Sequence, residues 1–107
     1  MNTMKLLYVT CKDIEEARSI TKKLVEDRLA ACGNILPKME SIYQWDGEIK
    51  HESEVVLIIK TTKDRSKDCQ EKIKKSHSYT TPCILELDVL DGNSDYMYWV
   101  KNQTLLP

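Results

Sequence analysis

Residues 39–61 read MESIYQWDGEIKHESEVVLIIKT, and the fold turns on this stretch. Asp46-Gly47 is a two-residue hairpin signal of the type I′ class, because both residues tolerate the left-handed backbone that turn demands. Before it, Met39, Ser41, Tyr43 and Trp45 alternate with Glu40, Ile42 and Gln44, the period of a strand. After it, Glu48 to Thr61 starts polar and ends in VVLII, a run that reads as a strand buried on both faces. These arms far exceed the usual strand of about 5–6 residues. The hairpin tip must therefore project beyond the core of its own subunit.

Working outward from the hairpin, Ala31 to Leu36 forms the approach to its first arm. Pro37 has no N–H for a ladder and marks an edge or a bulge. Upstream, Lys5 to Thr10 (KLLYVT) is a strand. Asp13-x-x-Glu16 resembles a capping box. Ile14, Ala17, Ile20, Thr21, Leu24 and Val25 then recur at helical spacing, so the helix is expected to reach Leu29 or Ala30. Downstream of the hairpin, Thr62 or Asp64 can cap a second helix to about Lys75, and His77 to Pro82 is a loop. Cys83 to Val89 is a strand, Gly92 to Asp95 a turn and cap, and Tyr96, Trp99 and Val100 share one face of a short last helix. The apolar tail Leu105-Leu106-Pro107 is expected to dock. The order β-α-β-β-α-β plus a short C-terminal helix is an α+β, ferredoxin-like sandwich, read as one domain over 1–107. Both helices cover one sheet face, and the other face lies open in a monomer.

Composition narrows the function. The chain has 107 residues and 12.4 kDa, with 16 basic and 17 acidic residues and a net charge of -1. That balance gives no pull toward nucleic acid or anionic membranes. Mean hydropathy is -0.46 and the longest apolar run is Val55 to Ile59, so no membrane span is expected. No targeting segment is visible at the N-terminus, which points to the cytoplasm. Cys11, Cys32, Cys69 and Cys83 form no CxxC pair and read as free thiols, and two histidines are too few for a closed zinc site. No nucleophile elbow or nucleotide loop occurs, and three glycines in all leave no phosphate cradle. The third strand lacks the aromatics of an RNA-stacking platform. No catalytic residue is assigned, and the chain is not expected to be an enzyme.

The remaining informative side chains are Tyr43, Trp45, Glu54, Lys60, Thr61, His77 and Tyr79. Tyr43 and Trp45 read as packing against another subunit. Lys60 either snorkels or pairs with an acidic group or anion in a cleft. His77, at a helix end, is a dipole partner or a ligand.

Taken together, certain residues resemble the CutA divalent-cation tolerance family. They are Leu29-Ala30-Ala31-Cys32 with Asn34-Ile35, Ser41-Ile42-Tyr43-x-Trp45-x-Gly47, Glu54-Val55 through Ile59-Lys60-Thr61, His77-x-Tyr79-x-x-Pro82, and Tyr96-x-x-Trp99. The resemblance spans essentially the whole chain. It implies a homotrimer similar in architecture to the PII signalling proteins, no catalytic activity, and tolerance or response to copper and other divalent cations. Some bacterial members carry a cysteine where Val9 stands and a second histidine where Ser76 stands. The family's usual His-Pro-Tyr is His77-Ser78-Tyr79 here, and its frequent glutamate after Pro82 is Cys83. The resemblance therefore implies weak metal binding, with His77, Cys32 and Cys83 as candidate ligands and no tightly held cofactor. The alternative is a PII-like sensor or scaffold whose intersubunit cleft takes a small anionic ligand or an unidentified protein partner, with Tyr43, Glu54, Lys60 and Tyr79 as its polar groups.

Overall fold

In the computed structural model, which describes residues 3–105, the apolar first strand is central. Strand β1 (Met4–Cys11) pairs on one side with β3 (Glu48–Thr62) and on the other with β4 (Ile84–Asp88). With β2 (Cys32–Trp45) beyond β3, the antiparallel sheet has the order β2-β3-β1-β4. Helices α1 (Ile14–Glu26) and α2 (Lys63–Ser76) cover one face. Leu7, Val9 and Cys11 of β1 and Val55, Leu57 and Ile59 of β3 meet Ala17, Ile20, Leu24, Cys69 and Ile73 there in one buried core.

The hairpin forms as its sequence requires. Asp46 and Gly47 have φ of 51° and 78°, the paired positive values of a type I′ turn. Strand β2 runs past Pro37 as a single edge strand. Its register slips between Leu36 and Met39, where Lys38 takes φ 64°, so the proline sits at both an edge and a bulge. At about 3.3 Å per residue its 14 residues account for the long axis of a molecule measuring 45 × 26 × 21 Å. Beyond the core the arm is apolar yet open: Ile42 is 68%, Ile49 71% and Trp45 55% exposed.

Four expectations need correction. Helix α1 stops at Glu26, short of Leu29, because Arg28 adopts φ 57°. Arg28 N–H then donates to Val25 O (3.1 Å) and Leu29 N–H to Leu24 O (2.9 Å), a Schellman cap built on arginine in place of the usual glycine. Glu16 reaches back to the N–H of Lys12, not to that of Asp13. The helix-free face is not fully open, since α3 (Ser94–Gln103) lies over one end. There Val100 and Met97 pack with Met4, Leu6, Ala31, Cys32 and Val89. The face expected on α3 forms: Val100 is buried, and Tyr96 and Trp99, about two-fifths exposed, lean on each other at 5.6 Å. In the expected docked tail, Leu105 is half exposed, and the rest of the tail lies outside the described residues.

Candidate functional site

A cleft of about 620 Å³ opens on the helix-free face, between the root of the hairpin arm and the loop after α2. Side chains alternate across a strand, so Tyr43 and Trp45 of β2 point to the same side as Lys50, Glu52 and Glu54 of β3. Thr10 of β1 and Ser78, Tyr79, Thr80, Thr81 and Cys83 complete the lining. Two tyrosine–glutamate pairs order it. Tyr43 donates its hydroxyl to Glu52, and Tyr79 donates to Glu54 Oε2 at 2.8 Å. Burial first, then the bond and charge of Glu54, push the Tyr79 phenol well above its ordinary range. The bond to Glu52 also raises the Tyr43 phenol. Both phenols therefore remain donors.

Behind the cleft, His77 fixes the loop. Its Nδ1 accepts from Tyr79 N–H at 3.0 Å, so the ring proton sits on Nε2 and is donated to Thr10 O at 2.7 Å. Glu16 joins the loop to α1 by accepting from Ser78 N–H (2.9 Å) and Lys12 N–H (3.1 Å). A chain of contacts thus runs from Thr10 through His77 to Tyr79 and Glu54, and it sets where the Tyr79 hydroxyl stands.

Cys11, Glu16 and His77 bring one donor atom each within 4.8 Å of the others. Their chemistry does not fit a resident metal. Both His77 nitrogens already serve backbone groups. Burial, helped by Glu16, pushes the Cys11 thiol up to about 12, so it holds its proton. Glu16 is spent on two amides. The trio is a clasp between β1, α1 and the loop. Sequence reading missed Cys11 because its role is set by β1 facing α1, not by any motif spacing.

Of the expected metal residues, Cys83 and His77 both bond Thr10, while Cys32 stands apart. Cys83 lies in the cleft, where burial and then Glu54 raise its thiol and a bond to Thr10 lowers it less. Cys32 is opposite Lys60, which is itself opposite Leu6, four residues along β1 from Thr10. Cys32 is therefore under α3, at the far end of the sheet from His77. All four cysteines are free thiols. Of the expected ligand residues, Tyr43, Glu54 and Tyr79 converge in the cleft. Lys60 does not: six residues from Glu54, about 20 Å along the strand, it donates to Tyr96 Oη at 3.1 Å and lies 5.2 Å from that ring's centroid. No helix among the described residues is long and apolar enough to cross a membrane.

This architecture has close counterparts. The sequence profile of the CutA1 divalent ion tolerance protein family matches residues 5–103. The divalent-cation tolerance protein CutA of Thermus thermophilus is 41% identical over 100 residues, 94% of this chain and 97% of that protein. The chloroplastic protein CutA of Arabidopsis thaliana is 35% identical over 92% of this chain, which spans 54% of that longer protein. The crystal structure of divalent ion tolerance protein CutA1 from Ehrlichia chaffeensis superimposes with a TM-score of 0.94 at 37% identity, covering 99% of both chains.

Proposed function

Because this chain belongs to the CutA1 divalent ion tolerance family, we propose that it serves divalent-cation tolerance in the cytoplasm as a homotrimer, takes up copper or a similar ion only weakly, and catalyses no reaction. The observation that carries this reading is the apolar surface one chain leaves open in two places. The hairpin arm exposes Ile42, Trp45 and Ile49, and the helix-free sheet face exposes Leu36, Leu85 and Leu87. Separate apolar patches on one molecule fit copies that meet head to tail and close into a ring, as in a PII-like trimer. Tyr43 and Trp45 would stand at that junction.

Weak metal uptake follows from the donors. The histidine and thiol that stand nearest each other are already hydrogen-bonded or protonated, so an ion must displace those partners. A cleft for a small anion, the alternative reading, is disfavoured by Glu52 and Glu54, against which Lys50 is held by Glu48 at 3.2 Å.

Native mass spectrometry with and without Cu²⁺ tests both halves. The expected spectrum is a trimer of the 12.4 kDa chain carrying copper that a mild chelator strips. A monomer at micromolar concentration overturns the assembly. Stoichiometric copper that survives chelation overturns the weak site, and His77→Ala, Cys32→Ser and Cys83→Ser then locate it.

A further inference from the structure

We propose that Asp91 is a modification site, where aspartate isomerises to isoaspartate without an enzyme and unsettles the start of α3 as the protein ages. Neither a metal nor an open cleft is involved. The sequence holds two Asp-Gly pairs, Asp46-Gly47 and Asp91-Gly92. A glycine after an aspartate leaves its amide nitrogen open to the preceding side chain, because no Cβ stands in the way. The structure separates the two pairs. The Gly92 N–H donates to Asp91 Oδ1 at 2.8 Å, so the nitrogen already stands beside the carboxyl carbon it would attack. Leu90, Asp91 and Gly92 belong to no helix or strand, and their backbone is free to turn into the reacting geometry. Asp46 and Gly47 are instead fixed at positive φ in a tight turn, closed on both sides by the pairing of Trp45 with Glu48.

The step is intramolecular. The Gly92 nitrogen bonds to Asp91 Cγ, and one carboxyl oxygen leaves as water, carrying the acid proton and the amide proton. The cyclic imide then takes up water at either of its carbonyls. Opening one way restores aspartate; opening the other leaves the main chain running through Cγ, an isoaspartate of unchanged mass. One water leaves and one returns, so no oxidant, reductant or cofactor is needed. The reacting groups are neighbours in the chain, and a second copy seated nearby neither supplies nor removes them. The consequence falls on α3. Asn93 caps that helix, its side chain accepting from Tyr96 N–H at 3.0 Å and its carbonyl from Met97 N–H at 3.0 Å. Isoaspartate adds a carbon to the main chain between β4 and this cap. The cap is displaced, and the helix loosens from Met4, Ala31 and Leu6, which it covers through Val100 and Met97.

Ageing the full chain in its native assembly at neutral pH tests the site. Proteolysis and electron-transfer fragmentation then tell isoaspartate from aspartate at equal mass. Isoaspartate accumulating at Asp91 and not at Asp46 is expected, with faster hydrogen exchange at the Tyr96 and Met97 amides of the aged fraction. The urea-unfolded chain is the reference, in which both pairs should isomerise comparably. Asp91→Glu should lose the product, because its longer side chain does not close the same ring. Gly92→Ala should slow it by shielding the nitrogen, and it keeps the fold, since the added Cβ meets only the Met97 side chain, no nearer than 3.4 Å. No isoaspartate at Asp91 in the assembly, while the unfolded chain forms it, overturns the proposal. Equal accumulation at Asp46 in the assembly overturns the role given to the Gly92 bond. A gain in mass of the peptide would assign the change to deamidation of Asn93 and overturn the site. Unchanged exchange at Tyr96 and Met97 overturns the effect on α3.

Discussion

Glu16 gathers three segments of the chain through two oxygens: it takes the amides of Lys12 and Ser78 and lies 3.8 Å from His77 Nε2. Burial alone would raise its pKa. The bonds from Ser78 and Lys12, with the proximity of His77, outweigh burial and hold the carboxyl below its ordinary value of 4.5. A carboxyl depressed by folding contributes stability that is fully present above the unfolded value and is lost as pH falls through the folded one. Glu16→Gln should therefore cost about 1–2 kcal/mol at neutral pH, in chemical denaturation, and the gap to the parent should close below pH 4.5. A gap that persists unchanged in acid would show that size, not charge, matters there. The neighbouring thiol gives a second residue-scale outcome. Cys11 and Cys69 are fully buried, with burial raising both to about 12. A thiol reagent should modify no more than Cys32 and Cys83 until the chain is unfolded.

At the scale of elements, α1 and β2 touch closely enough that one glycine decides the fit. A Cβ on Gly33 would stand 2.5 Å from Thr21 Cγ2 and 3.1 Å from Ile59 Cδ1. Gly33→Ala should destabilise by about 1–3 kcal/mol, and Thr21→Ala in the same chain should return much of it, read by thermal melting of the single and double variants. The end of α1 gives the opposite sign. Arg28 holds a left-handed backbone that glycine adopts freely, so Arg28→Gly should stabilise by about 1 kcal/mol. These elements also mark how far the sequence could be read. The hairpin, the element order and the Asp13 cap were legible because each is encoded by neighbours a few residues apart. The end of α1 was not, since nothing local announces an arginine in a glycine's place. Lys60 and Glu54 lie about 20 Å apart on one strand, so within one chain they do not meet, and their grouping concerns a cleft between copies. Tyr43, Glu54 and Tyr79 did converge, because the loop after α2 folds back over the strand that carries Glu54.

For the whole molecule, the exposed arm sets the behaviour. If Trp45 anchors a neighbouring copy, Trp45→Ala should weaken assembly by about 2 kcal/mol or more, and the melting temperature of the parent should rise with protein concentration. Unchanged mass in sedimentation and a melt independent of concentration over a hundredfold range would remove the arm from the interface. The central position of β1 has a consequence of a different kind, for the order in which the chain can acquire its shape. Met4 waits for Thr62, and Lys5 for Asp88, whereas the two arms of the hairpin meet across Asp46 and Gly47. Short loops close early and long ones late. During synthesis β1 is thus made before β3 and β4, the two strands that flank it. Its Leu6-Leu7-Tyr8-Val9 run stays unsheltered until both have been made, which makes that tetrapeptide a segment a nascent-chain chaperone would meet.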